Sequence, residues 1–116
     1  MTWFKCISEN GGGATNFLFE ANDLIPNTYI NTAGQPISYN GWASTDFIEV
    51  TPNEILNCAI SDRQEYNCWY DENQTYITNF RCSNMGYSTL QVPSNAHYVR
   101  FSSYTQNMEN SIRFWR

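Results

Sequence analysis

The 116-residue chain is one domain by size, long enough to bury a single core but not two. It is 41% hydrophobic yet only 15% charged, and its net charge of -5 rests on six Lys and Arg against eleven Asp and Glu. That balance argues against binding nucleic-acid phosphates, which requires clustered cations. No run of eighteen apolar residues marks a membrane span, and no basic region followed by an apolar run marks a secretion signal. Solubility must rest on Asn, Ser and Thr, a surface suited to hydrogen bonding.

In chain order, "TWFKCI" (residues 2–7) reads as a short apolar strand, and "SENGGGATN" as a Gly-rich linker. The organisation expected is therefore residues 1–15 as strand and linker, and residues 16–116 as the domain proper. "NFLFE" and "NTYIN" are strand candidates, and "NTAGQP" between Ile30 and Ile37 has turn chemistry. Tyr39, Asn40, Gly41 and Trp42 read as a turn, followed by the strand "DFIEV" and a break at Thr51-Pro52-Asn53-Glu54. Alternation in "ILNCAIS" places Leu56, Cys58 and Ile60 on one face.

In "EYNCWYD", Tyr66, Cys68 and Tyr70 share one face, Asn67 and Trp69 the other. Parity alone leaves open which is inside. Residues 71–80 read as a hairpin, and "YSTLQV", "HYVRFSSY" and "SIRFW" supply further strands. No helical stripe of useful length occurs. Short strands with regular Asn, Gly and Pro punctuation predict an all-β fold, a single antiparallel β-sandwich.

The four cysteines, Cys6, Cys58, Cys68 and Cys82, include no CxxC pair, and His97 is the single histidine. No metal or cofactor is expected from that set. Cys58 and Cys68 are expected as reduced, buried thiols. Nor does any catalytic motif occur. Glu49 and Asp71 could be paired as glycosidase carboxylates, but any chain with eleven acids allows such a pairing, and the expectation is a protein that is not an enzyme. Arg100 is expected to pair with an acid on a neighbouring strand. Asp46 is expected to accept backbone N–H bonds, with calcium ligation as the alternative for Asp46 and for Asp71, Glu72 and Asn73.

The elements Tyr29-Ile30, Asn31 to Gly34, Trp42, Ser44 to Ile48, Val50 to Pro52, Trp69 to Asn73 and Val92 to Phe101 follow one another in an order that resembles a module of phage and prophage tail-tip, fibre and baseplate proteins. The resemblance covers about residues 16–104, with Asn53 standing where a glycine is more usual. It implies a jelly-roll-like sandwich similar to carbohydrate-binding modules, on a virion made in a bacterial host cytoplasm. Host-surface glycan and other virion proteins are the partners it implies, with a homo-oligomer as a further expectation. Two other readings stand beside glycan recognition: a structural decoration or assembly module that binds protein, and an intracellular phage protein that intercepts a host defence component.

A planar ring stacks on a pyranose while amides bond its hydroxyls, so aromatic plus Asn is sugar-binding chemistry. The ligand-binding candidates are Tyr39, Asn40, Trp42, Trp69 and Asn73. Trp42 reads either as a platform for a sugar or as a lid over one end of the core. The sequence tips it toward the lid, leaving any sugar contact to Tyr39, Asn40 and Trp69.

Overall fold

Apolar alternation becomes strand burial first in the segment after the Pro52 break. Leu56, Cys58 and Ile60 are all buried, as their parity predicts. Ala59, of opposite parity, is buried too, because Tyr87 and Arg113 flank it from the two neighbouring strands. A computed structural model describes residues 16–61, 64–82 and 85–116. The expected strand and linker of residues 1–15 lie outside the described residues.

The described chain forms strands β1 (Ile25–Ile30), β2 (Pro36–Ser44), β3 (Ile48–Glu49), β4 (Ile55–Ile60), β5 (Gln64–Tyr70), β6 (Tyr76–Cys82), β7 (Gly86–Gln91), β8 (Tyr98–Arg100), β9 (Ser102–Tyr104) and β10 (Arg113–Trp115). A short helix, α1 (Thr105–Asn110), sits before β10 and buries Met108. The strands make three antiparallel sheets, β1-β2-β9, β10-β4-β7 and β3-β8-β5-β6, packed as an all-β sandwich. The main core runs through Phe19, Leu56, Trp69, Val92, Val99, Phe101 and Phe114. Phe101 and Phe114 stack at 3.8 Å near its centre.

Strand β5 is covered on both sides, which is why parity could not choose a face. Trp69 stacks on Phe80 at 4.5 Å in the main core, while Cys68 and Tyr70 form a second small core with Ile30. The turn after β1 caps that second core: the Tyr70 hydroxyl donates to the Gly34 carbonyl at 2.7 Å. Gly34 has φ +79°, and a Cβ there would lie 2.5 Å from the Tyr76 ring, so the position requires glycine.

Several local expectations change. "NFLFE" contributes only an isolated bridge, Phe17 to Trp115, before a 3-10 turn at Ala21–Asp23. Asn53 takes φ +68° behind Pro52 and closes the Thr51–Glu54 turn, a conformation Asn tolerates better than most non-glycine residues. Arg100 finds no acid among the described residues. Its Nε donates to the Thr45 carbonyl at 2.9 Å, and its guanidinium lies 4.9 Å over the Phe47 ring.

That arginine marks the place where the chain changes sheets. β8 pairs with β5, β9 pairs with β2, and Phe101 between them is held at both backbone groups by Thr45: its carbonyl accepts the Thr45 N–H at 2.9 Å, and its N–H donates to the Thr45 side-chain Oγ1 at 3.0 Å. The crossing continues at Ser102, whose hydroxyl donates to the Tyr66 carbonyl at 2.6 Å and accepts the Ile30 N–H at 3.0 Å. Tyr104 is thereby delivered beside Trp42.

Cys58, Cys68 and Cys82 are buried free thiols. Burial pushes the Cys68 thiol up to about 11 and, with Cys58 nearby as a lesser cause, Cys82 up to about 12. Reducing agent is therefore expected to leave the melting temperature within about 2 °C, whereas a lost disulfide would lower it by several degrees. Alkali should act differently. Unfolded thiols lose their protons near pH 8.5, while the folded ones hold theirs, so this contribution is complete below that pH and fades as pH rises toward 11 and 12. Melting temperatures measured at rising alkaline pH, with and without reductant, check both statements.

Candidate functional site

The segment expected as a turn, Tyr39 to Trp42, lies inside strand β2 as a bulge. Pro26 pairs with Ala43 and Thr28 with Ser38, so Asn27 alone faces all of Tyr39–Trp42. Left-handed backbone at Asn27 (φ +55°) and Gly41 (φ +90°) accommodates the surplus residues. A Cβ on Gly41 would meet nothing within 4 Å, so there the glycine serves backbone conformation and not packing.

The bulge presents Trp42 to rings from four other positions in the chain. Its ring centroid lies 5.0 Å from that of Tyr104, its partner across β9, 5.2 Å from Tyr66 on β5, 5.6 Å from Tyr29 on β1 and 6.5 Å from Tyr39. Most of these contacts are edge-on or tilted, the arrangement the ring quadrupoles favour. With Asn40 and Gly41, the five aromatic residues line an open cleft of about 510 Å³. Tyr39 is 57% exposed and Tyr104 52%, while Trp42 is half-buried.

The polar tips here differ from those of Tyr70 and Tyr76. The hydroxyls of Tyr70 and Tyr76 are satisfied by the carbonyls of Gly34 and Thr32. Among the described residues, the hydroxyls of Tyr29, Tyr39, Tyr66 and Tyr104, the Asn40 amide and the Trp42 indole N–H make no hydrogen bond to protein. Among the described residues no charged side chain lines the cleft. Such a surface can stack an apolar face and hydrogen-bond a hydroxylated rim.

Of the residues proposed from sequence, the fold gathers Tyr39, Asn40 and Trp42 at this cleft. Trp69 is corrected to a core residue: it is 3% exposed and stacked on Phe80, which leaves no ring face for a ligand. Asn73 is also displaced, at the exposed tip of the β5–β6 hairpin and outside the cleft lining. Tyr29, Tyr66 and Tyr104 were not anticipated. Tyr29 lies next to Ile30 in an alternating strand, which is a weak local signal, but nothing local to Tyr66 or Tyr104 pairs them with Trp42.

The carboxylates are engaged as turn and loop acceptors. Asp46 Oδ1 accepts the Phe47 N–H at 2.8 Å. Asp71 Oδ1 accepts the N–H groups of Asn73 at 2.8 Å and Thr75 at 3.0 Å, and so serves the hairpin turn. A smaller hollow of about 310 Å³ brings Glu49, Glu72 and His97 along one wall. Among the described residues no three His, Cys, Asp or Glu side chains gather closely enough to hold a metal ion, and no helix is long and apolar enough to cross a membrane.

No protein-family model matches the chain, and neither a curated protein nor a solved structure does.

Proposed function

We propose that the Trp42 cleft recognises carbohydrate without chemistry, and that the protein serves as a tail or virion accessory of a phage or prophage that contacts host-surface polysaccharide. One observation carries the carbohydrate reading: five rings converge on an open cleft while six polar tips around them find no hydrogen-bond partner among the described residues. Stacking and hydroxyl recognition are the two things a pyranose requires. The virion context rests on the order of sequence elements from Tyr29 to Phe101 and on nothing in the cleft itself.

A second reading has its own support, because Ile37 lies exposed on β2 next to the same surface. Exposed tyrosines, a tryptophan and an aliphatic residue together resemble the anchor of a protein interface, as an assembly module would need. Interception of a defence component has no such observation behind it, since among the described residues the cleft carries no charge to guide such a partner. A glycan array run beside a solution mass measurement separates the readings. Glycan binding by a monomer supports recognition. Self-association without glycan binding supports the assembly module.

A further inference from the structure

We infer that the carbohydrate taken by this cleft is a neutral one, built of uncharged pyranoses and not of uronic, sialic or amino sugars. The inference rests on the carbohydrate reading above and specifies its ligand. Tyr29, Tyr39, Asn40, Gly41, Trp42, Tyr66 and Tyr104 supply phenol hydroxyls, one carboxamide and one indole N–H, and no Arg, Lys, His, Asp or Glu. A carboxylate moved from water into such a lining would lose hydration with no cation to replace it.

Three cations among the described residues are committed elsewhere. Arg100 is held by Thr45 and Phe47, Arg113 donates to the carbonyls of Met108 and Ile112, and Arg116 pairs with Glu54 at 3.0 Å. The net charge of -5 adds a long-range field that disfavours a polyanion further. An ammonium sugar meets the opposite lack, since no carboxylate among the described residues lines the cleft to pair with it. Hydroxyls, in contrast, can donate to and accept from phenols and an amide, and the alternating apolar faces of a neutral pyranose suit the rings.

The test is affinity electrophoresis of the full chain in gels containing a neutral β-glucan, a galactomannan, hyaluronan, polygalacturonate or chitosan, followed by titration of any polymer that retards it. Retardation by a neutral polymer is expected, with affinity changing less than about twofold between roughly 0.05 and 0.5 M salt because no ion pair is there to be screened, while any retardation by chitosan, a polycation that a chain of net charge -5 attracts without a site, should vanish at the higher salt. Tighter binding to hyaluronan, polygalacturonate or chitosan at the higher salt, or a loss of about tenfold for the neutral polymer across that salt range, would overturn neutrality while leaving carbohydrate recognition standing. Retardation by none of the five would count against the carbohydrate reading itself, and the inference would go with it.

Discussion

Trp69→Ala is expected to cost about 3–5 kcal/mol of stability, and to lower the melting temperature by roughly 15 °C, while folded protein keeps its ligand affinity. The ring is 3% exposed and stacks on Phe80 at 4.5 Å with an 18° tilt. Phe80 in turn meets Phe101, and Phe101 stacks on Phe114, so the missing indole would open a hole at one end of a continuous row of rings. The hole cannot readily collapse. β5 is paired on both edges, with Val99 of β8 on one side of Trp69 and Thr78 of β6 on the other. Calorimetry at neutral pH measures the loss, and glycan titration at a temperature below the variant's transition measures affinity. A change under about 1 kcal/mol would mean the ring is not packed as described. Lost binding with unchanged stability would restore Trp69 as a ligand contact.

The two tryptophans show what a single sequence reveals and what it does not. The strand "ILNCAI" and the turn at Asn31–Gly34 are legible, because alternation and turn residues are local properties, whereas the hairpin expected over residues 71–80 reaches back through β5 to residue 64, with only its turn and most of β6 inside that span. Parity also separates Trp69 from Tyr70. It cannot show that both faces of β5 are covered, since the cover for Cys68 and Tyr70 comes from Ile30 and the turn behind it. The cleft is harder still to read. Asn40 beside Trp42 is visible as sugar-binding chemistry, but the bulge that presents them depends on how β2 registers against β1, and Tyr104 arrives only because the chain changes sheets at Phe101. A six-residue helix such as α1 is too short to leave a periodic stripe.

Trp42→Ala is expected to weaken ligand binding by at least about 100-fold, the scale of a buried aromatic anchor. It should reduce stability by about 1–3 kcal/mol, less than the Trp69 change. The two effects come from the same geometry. Trp42 packs against Tyr29, Tyr39, Tyr66 and Tyr104, so the ring braces β2 against β9 and β5 as a lid would. It is nevertheless only half-buried and lines the cleft, so part of its surface remains for a ligand as on a platform. Trp42→Phe should restore most of the stability, because a smaller ring can still meet the tyrosines, but less of the affinity, because the stacking area shrinks and the indole N–H is lost. Parallel melts and titrations of the two variants resolve the contributions. A folded Trp42→Ala protein with unchanged affinity would remove the cleft from consideration as the binding site. One that loses as much stability as Trp69→Ala would make Trp42 chiefly a lid, with the sugar face left to Tyr39, Asn40 and Tyr104.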